Sequence, residues 1–316
     1  MLFRSRLIDG WAASDPDRRI LYCDEHEETT NPRAILEALP PGPRAVLIGP
    51  EGLVLTVGYL VLEADDVEVT TDDDRHIPAR VVAYDVATGF GLLQALAPLQ
   101  AQPAPLGSSG ALGAEDGLVI MSGGEDGGAT PARMVSRRPF SGFWEYHLDD
   151  ALFTAPQRAD HSGAGLFNLK GELVGIGSLA VKDALLEADG HALPGNMFLP
   201  IDLLKPVLAE LQAHGRTRAS ARPWLGLNCA EVDGVIRVLR VNSDSPADVA
   251  GLQPGDRIVQ VDGRPVSRLD ELWKRVWGGQ GAERDIRLEI DRDDHRETLV
   301  VHAVDRDKTL RRPQGV

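Results

Sequence analysis

The chain has 316 residues, 43% of them hydrophobic and 26% charged, enough for about two domains with cores of their own and too apolar for general disorder. Its 33 basic residues against 48 acidic ones give a net charge of −15. Phosphate backbones and anionic bilayers repel such a chain, so neither nucleic acid nor a membrane surface is an expected partner.

No run of the sequence approaches the ~18–20 apolar residues of a membrane span. The start, Met1–Gly10, lacks the apolar stretch of a secretory signal. A cytoplasmic location is expected on the sequence as given, and a periplasmic one if the true start lies upstream. Cys23 and Cys229 are too far apart and too few for a disulfide framework and fit a reducing compartment.

Residues 1–43 read as a polar N-terminal extension. Within it, Asn31 as N-cap and Pro32 at the first helical position open a short helix through Leu39, which Pro40-Pro41-Gly42-Pro43 stops. From Arg44 to about Lys182, short β-rich runs alternate with Gly and Asp turns. They are Ala45–Gly49, Gly52–Thr56, Val67–Thr70, Ile77–Tyr84, Gly91–Leu93, Gly117–Met121 and Gly165–Asn168. The last returns through Asn168-Leu169-Lys170-Gly171 into Gly171–Gly177, and the whole has the texture of an all-β barrel or sandwich. Leu203–His214 reads as a helix, with Leu203, Leu204, Val207, Leu208 and Leu211 on one face and Gly215 as its cap. Arg216–Arg222 is a polar linker. A second compact stretch runs from Pro223 to Asp307, with a helix at Ser267–Trp277 and a final hairpin of Ile286–Asp291 and Thr298–Val304. Lys308–Val316 is a polar, frayed tail.

Three motifs of the second stretch keep their order: Trp224-Leu225-Gly226-Leu227, then Ser245-Pro246-Ala247 through Gly255-Asp256, then Val261-Asp262-Gly263-Arg264. Together they resemble the PDZ domain in the permuted form of bacterial proteases. Asp262-Gly263 is a strong two-residue hairpin turn on its own chemistry. The resemblance implies an α+β domain that adds a peptide strand to a sheet edge. It further implies that the amides of Trp224, Leu225, Gly226 and Leu227 catch a terminal carboxylate, that Asn228, Cys229 and Ala230 continue the pairing strand, and that Leu269, Leu272 and Val276 line the groove. The plainer reading of those three helix residues is ordinary core.

Asp160-His161-Ser162-Gly163-Ala164-Gly165-Leu166, followed by Val174-Gly175-Ile176, resembles the nucleophile segment of chymotrypsin-like serine proteases of the HtrA/Deg branch. The implied fold class is mainly β, a chymotrypsin-like double β-barrel over 44–215 followed by a PDZ domain over 223–307. Ser162 falls on the nucleophile. The family's His, in Thr-Asn-Ala-His-Val-Val, is matched by Tyr59, and its Asp, in Thr-Asp-Leu-Ala-Leu-Leu, by Gly89. Where the family has a glycine two residues before the serine, in the oxyanion turn, Asp160 stands.

These departures bear on the chemistry. A serine hydroxyl attacks only when a base takes its proton and a third group holds that base. A phenol of ordinary pKa ~10 is a poor base near neutral pH, and glycine orients nothing. Losing one triad member typically costs ~10⁴–10⁶ in rate. The expectation is a serine protease homologue that no longer hydrolyses and acts by binding peptides or protein C-termini.

Two alternatives are an endopeptidase using Ser162 with an unusual base, for which His161 is the nearest imidazole, and a regulatory subunit of an active paralogous protease. The family resemblance implies trimers. His76, His147, His191 and His214 read as isolated surface or turn residues, and Asp85 lies on the wrong side of its turn to replace Gly89. Asp24 with Glu25-His26-Glu27-Glu28 is a solvated acidic loop lacking a second His at ligand spacing, and no cofactor or metal is expected.

Overall fold

The computed structural model describes residues 2–7, 44–64, 66–114, 116–122, 128–186 and 190–310. The helix expected at 31–39, the Glu25–Glu28 loop, Cys23 and the end of the expected tail lie outside them. The chain forms two compact units. The first runs to Arg137 and resumes over Leu152–Arg216, and the second unites Arg138–Ala151 with Thr217–Arg311.

Two closed barrels carry the first unit. One consists of β1 (Leu2–Leu7), β2 (Arg44–Leu47), β3 (Leu53–Val57), β4 (Val67–Thr70), β5 (His76–Tyr84) and β6 (Phe90–Ala95), in the order β1-β2-β3-β6-β5-β4. Its interior is filled by Leu47, Val54, Val69, Ile77 and Leu93, at about 1.5–3 kcal/mol of burial for each large aliphatic side chain. β3 is buried along its whole length, because it meets the barrel core on one side and touches the Leu173–Leu186 strand of the second barrel on the other. The sequence places the first strand at Ala45. The structure adds β1 from the N-terminal extension, which pairs with both β2 and β4 and closes the barrel.

The second barrel holds β7 (Gly117–Met121), β8 (Ala129–Ser141), β9 (His147–Ala155), β10 (Gly165–Asn168), β11 (Leu173–Leu186) and β12 (Ala192–Pro200), in the order β10-β11-β12-β9-β8-β7. β8, β9 and β12 are absent from the sequence reading. β8 carries five residues with charge or proline in Pro131, Arg133, Arg137, Arg138 and Pro139, β9 contains Asp149-Asp150, and β12 contains Pro194-Gly195. Partners on both sides override those weak local preferences. The expected Leu203–His214 helix is shorter in the fold. A 3₁₀ turn at Ile201–Leu203 precedes α1 (Leu208–His214), with Pro206, which has no amide to donate, between them, and Gly215 closes α1 in the left-handed conformation.

In the second unit, β13 (Pro223–Trp224), β14 (Leu227–Val232), β15 (Val235–Val241), β16 (Arg257–Val261), β17 (Arg264–Pro265), β18 (Arg284–Arg292) and β19 (His295–Asp305) make one sheet. Its order is β13-β19-β18-β16-β15-β14, with β17 paired to β16 through the Asp262-Gly263 turn. Both residues of that turn have positive φ, as do Asp293 and Asp294 between β18 and β19, the requirement of a tight hairpin. The helices are α2 (Pro246–Val249), capped by the Ser245 hydroxyl, α3 (Leu269–Trp277) and α4 (Arg306–Thr309). α3 carries Asp270 and Glu271 in its first turn and Lys274 and Arg275 in its last, matching the helix dipole, and buries Leu272, Trp273 and Val276 against Leu227, Ile258 and Ile286. α4 takes up Lys308, read from the sequence as frayed tail, whose ammonium pairs with Glu283 at 2.7 Å. No helix among the described residues is long and apolar enough to cross a membrane.

Candidate functional site

Ser162 lies in the turn leading into β10, and that turn is fastened from three sides. Gly163 donates to the Gly177 carbonyl (2.8 Å), Ala164 to that of His161 (2.9 Å), and the Arg44 amide to that of Ser162 (2.9 Å). The Arg44 carbonyl in turn accepts from the buried Thr56 hydroxyl at 2.6 Å. Gly163 has a φ of +76°, and a β-carbon there would stand 1.8 Å from the Arg44 carbonyl oxygen. Glycine after the serine is therefore a steric requirement of how β2 meets the turn, whatever Ser162 does chemically.

The Ser162 hydroxyl faces a phenol. Tyr59, in the 3₁₀ turn Gly58–Leu60 that ends β3, brings its Oη to 2.9 Å from Ser162 Oγ and 2.5 Å from the Ser178 carbonyl. The phenol is the donor in both contacts, so its one proton is shared between the Ser178 carbonyl and Ser162 Oγ, which accepts. Among the described residues Tyr59 is the side chain hydrogen-bonded to Ser162 Oγ. Gly89 stands next to this corner, its carbonyl accepting from the Gly58 amide at 2.6 Å, and it brings no side chain.

Neighbouring titratable groups are turned to other work. The buried Asp85 carboxylate accepts the amide (3.1 Å) and the hydroxyl of Thr88, capping the turn that ends at Gly89. Asp160 is gripped by Arg158 through both carboxylate oxygens, at 2.7 and 2.6 Å, and accepts the Ser122 hydroxyl. Burial works against its ionisation, but Arg158, then Ser122, then its own amide hold the carboxyl at about 2. A fixed negative charge, balanced by Arg158, thus stands two residues before Ser162. His161 accepts or donates through Nδ1 at 2.9 Å from the Arg158 carbonyl, and since that oxygen only accepts, Nδ1 carries the proton. Burial pushes its pKa below the usual imidazole range, so the ring is neutral near pH 7. His147, read as a surface or turn residue, is instead 6% exposed, between Ser141 Oγ (2.8 Å) and Asp149 (3.1 Å).

The second constellation lies in the second unit. Between Trp224 and β14, three consecutive amides converge on one carboxylate: Leu225 (3.1 Å), Gly226 (2.7 Å) and Leu227 (3.1 Å) all donate to Glu145. The φ of +85° at Gly226 turns the chain so that they can converge, and a β-carbon there would meet that of Ser245 at 2.2 Å. Desolvation pushes the Glu145 carboxyl up to about 7, against the pull of those amides and of Arg306, whose guanidinium stacks 4.6 Å over the Trp224 ring. Asn228 bridges Trp144 in antiparallel register, and the Cys229 amide donates to the Phe143 carbonyl at 2.6 Å. From α3, Trp273 Nε1 donates to the Gly142 carbonyl at 3.3 Å. Leu269, Leu272 and Val276 are buried in one cluster with Leu227, Cys229 and Ile258.

Sequence reasoning missed Glu145, its flanking residues and Trp273. A signal was present: four of the chain's sixteen aromatic residues fall within Phe140–Tyr146. In the fold Trp144 packs edge-on to Phe143 (4.8 Å) and stacks on Tyr146 (5.9 Å).

Residues 44–176 match the trypsin-like peptidase domain and residues 223–302 the PDZ domain. The chain is 28% identical over 276 residues to a DegP-like periplasmic serine endoprotease of Ectopseudomonas mendocina, covering 81% of this chain and 54% of that protein. It is 29% identical over 274 residues to the corresponding protein of Hahella chejuensis, covering 77% of this chain and 55% of that one. It therefore spans about half the length of the curated relatives it matches. Among solved structures, the HtrA-type protease AlgW with a decapeptide superposes with a TM-score of 0.53 at 21% identity, covering 99% of this chain and 95% of that one. The serine endoprotease from Yersinia pestis gives 0.51 at 20% identity, covering 83% and 88%. Two barrels around a Ser162 turn, followed by a sheet with a carboxylate-gripping loop, agree with these likenesses: the chain carries a trypsin-like peptidase domain followed by a PDZ domain, and in that arrangement it is similar to the HtrA-type proteases.

Proposed function

We propose that this chain is a non-hydrolytic relative of the HtrA-type proteases, working through peptide capture by the second unit. One contact carries the reading: the Ser162 hydroxyl oxygen accepts from the Tyr59 phenol, which also donates to the Ser178 carbonyl. The group beside the serine is thus a proton donor and not a base, so nothing there takes the serine proton near neutral pH and the hydroxyl stays an alcohol. Support comes from Gly89, which orients nothing, and from Asp160, whose charge stands where a developing oxyanion needs donors. The ligands are peptides or protein C-termini, added as a strand beside β14 with a carboxylate on the Leu225–Leu227 amides. The relatives named periplasmic favour that compartment over the cytoplasm.

The test is incubation of the pure protein, and of Ser162→Ala, with unfolded casein. No cleavage above the Ser162→Ala background is expected. Cleavage that the substitution abolishes overturns the reading.

A further inference from the structure

We infer that the peptide groove of the second unit is self-liganded: Gly142–Glu145 occupies it in the pose of a bound C-terminal peptide, with the Glu145 side chain in the place of the terminal carboxylate. This rests on the peptide-capture reading and adds that an incoming C-terminus binds only by displacing the chain's own segment.

The contacts come from every wall of the groove. At its closed end the Leu225, Gly226 and Leu227 amides all point at Glu145. Along the edge strand, the Cys229 amide takes the Phe143 carbonyl and Asn228 bridges Trp144, so the segment runs antiparallel to β14 with its acidic end toward the amide loop. That is the polarity of strand addition by a peptide ending in a carboxylate. From the opposite wall Trp273 donates to the Gly142 carbonyl. Beyond the segment, Lys274 of α3 pairs with Asp149 of β9, the strand that follows it, at 2.5 Å.

The segment is also shaped before it docks. Gly142 donates to the Tyr146 carbonyl (2.9 Å) and Tyr146 to that of Trp144 (2.6 Å), closing a tight turn at the tip between β8 and β9. Phe140 and Tyr146 flank Trp144 at 6.3 and 5.9 Å between ring centres. A preformed, tethered ligand gives up little freedom on docking and sits at an effective concentration in the millimolar range. An amide donor bonded to Glu145 is not available to a second carboxylate. The apparent affinity for a free peptide therefore falls by the fraction of molecules whose groove is open.

The experiment uses the full chain and a fluorescein-labelled hexapeptide, Ala-Ser-Gly-Phe-Trp-Val, with a free C-terminus, beside its C-terminally amidated twin. Affinities are read by fluorescence anisotropy for the wild type, Glu145→Gln and Glu145→Ala. Backbone amide exchange over Leu225–Cys229 is followed in the same proteins by mass spectrometry. The free-acid peptide is expected to bind Glu145→Ala at least tenfold more tightly than the wild type, with Glu145→Gln between them and no gain for the amidated twin. Exchange at Leu225–Cys229 is expected to quicken at least tenfold in Glu145→Ala.

Equal, tight binding to wild type and Glu145→Ala overturns self-liganding and leaves peptide capture standing. An equal gain for the amidated twin overturns it too, since the freed site is then not the carboxylate loop. If no protein binds the peptide, peptide capture of this class falls and exchange alone decides. Faster exchange in Glu145→Ala upholds the docked segment, and unchanged exchange overturns it.

Discussion

Replacing Gly163 by alanine separates the two reasons a serine-glycine pair can persist at this turn. The new methyl group would begin 1.8 Å from the Arg44 carbonyl oxygen and 2.5 Å from Thr56 Oγ1, on a backbone with φ of +76°. An L-residue in that left-handed region costs roughly 1–2 kcal/mol by itself. Relief of the contact requires the Arg44 carbonyl to retreat by about 1.5 Å to ordinary van der Waals distance, an overpacking cost of about 1–3 kcal/mol. That retreat also strains the 2.6 Å hydrogen bond from the fully buried Thr56 hydroxyl, at a further ~1 kcal/mol. Gly163→Ala is therefore expected to lose about 4 kcal/mol. Ser162→Ala removes one hydroxyl whose partner Tyr59 is 41% exposed, and is expected to lose about 1 kcal/mol or less. Thermal unfolding by circular dichroism reads the contrast, at about 2–4 °C per kcal/mol for a unit of this size. A drop of roughly 8–16 °C is expected for Gly163→Ala and at most a few degrees for Ser162→Ala. Equal midpoints for the two variants would refute the steric account and return the serine-glycine pair to a catalytic explanation.

Tyr59→Phe removes the donor to the Ser178 carbonyl and is expected to lower stability by about 1 kcal/mol, with no change in casein turnover; a variant that loses measurable hydrolysis contradicts the pseudoprotease reading. Asp160, held at about 2 in the fold against 3.8 when unperturbed, contributes stability that is complete above pH ~4 and lost as the pH falls through ~2. The gap in denaturant stability between wild type and Asp160→Asn is accordingly expected to be about 2 kcal/mol at pH 7 and to close by pH 2, and a gap that stays constant over that range contradicts the Arg158 pairing. Burial pushes the Cys229 thiol well above the ordinary cysteine range, so mass spectrometry after iodoacetamide treatment at pH 8 is expected to find Cys229 unmodified until denaturant is added. Gly226→Ala, whose new methyl would meet Ser245 Cβ at 2.2 Å, is expected to spread the three converging amides and weaken capture of a free-acid peptide at least tenfold in a Glu145→Ala background. Unchanged affinity there would detach the carboxylate grip from the Gly226 turn.

Much of the fold was legible because its signals are local. Asp262-Gly263 sets a hairpin whatever surrounds it, and Ser245-Pro246 starts a helical turn that its own hydroxyl caps. Short buried runs such as Leu53–Val57 declare a strand by composition. β8, β9 and β12 were illegible for the opposite reason: their charges, prolines and glycine are tolerated only because neighbours on both sides complete the ladder. β1 was hidden by the polar stretch that separates it from the barrel it closes.

The order of motifs around Ser162 and Trp224–Leu227 is read from the sequence by itself, as are the identities Tyr59 and Gly89 at the positions where the family resemblance implies a base and its orienter, because residue identity needs no fold to be known. Which oxygens the Tyr59 proton serves, and that Asp160 is answered by Arg158, depend on distances between groups brought together only by closure of the barrels. The same holds for Glu145 in the amide loop: it stands 80 residues before Leu225, and nothing in local propensity encodes a meeting at that separation. Tertiary structure alone brings a side-chain carboxylate to three amides that the sequence had assigned to someone else's terminus.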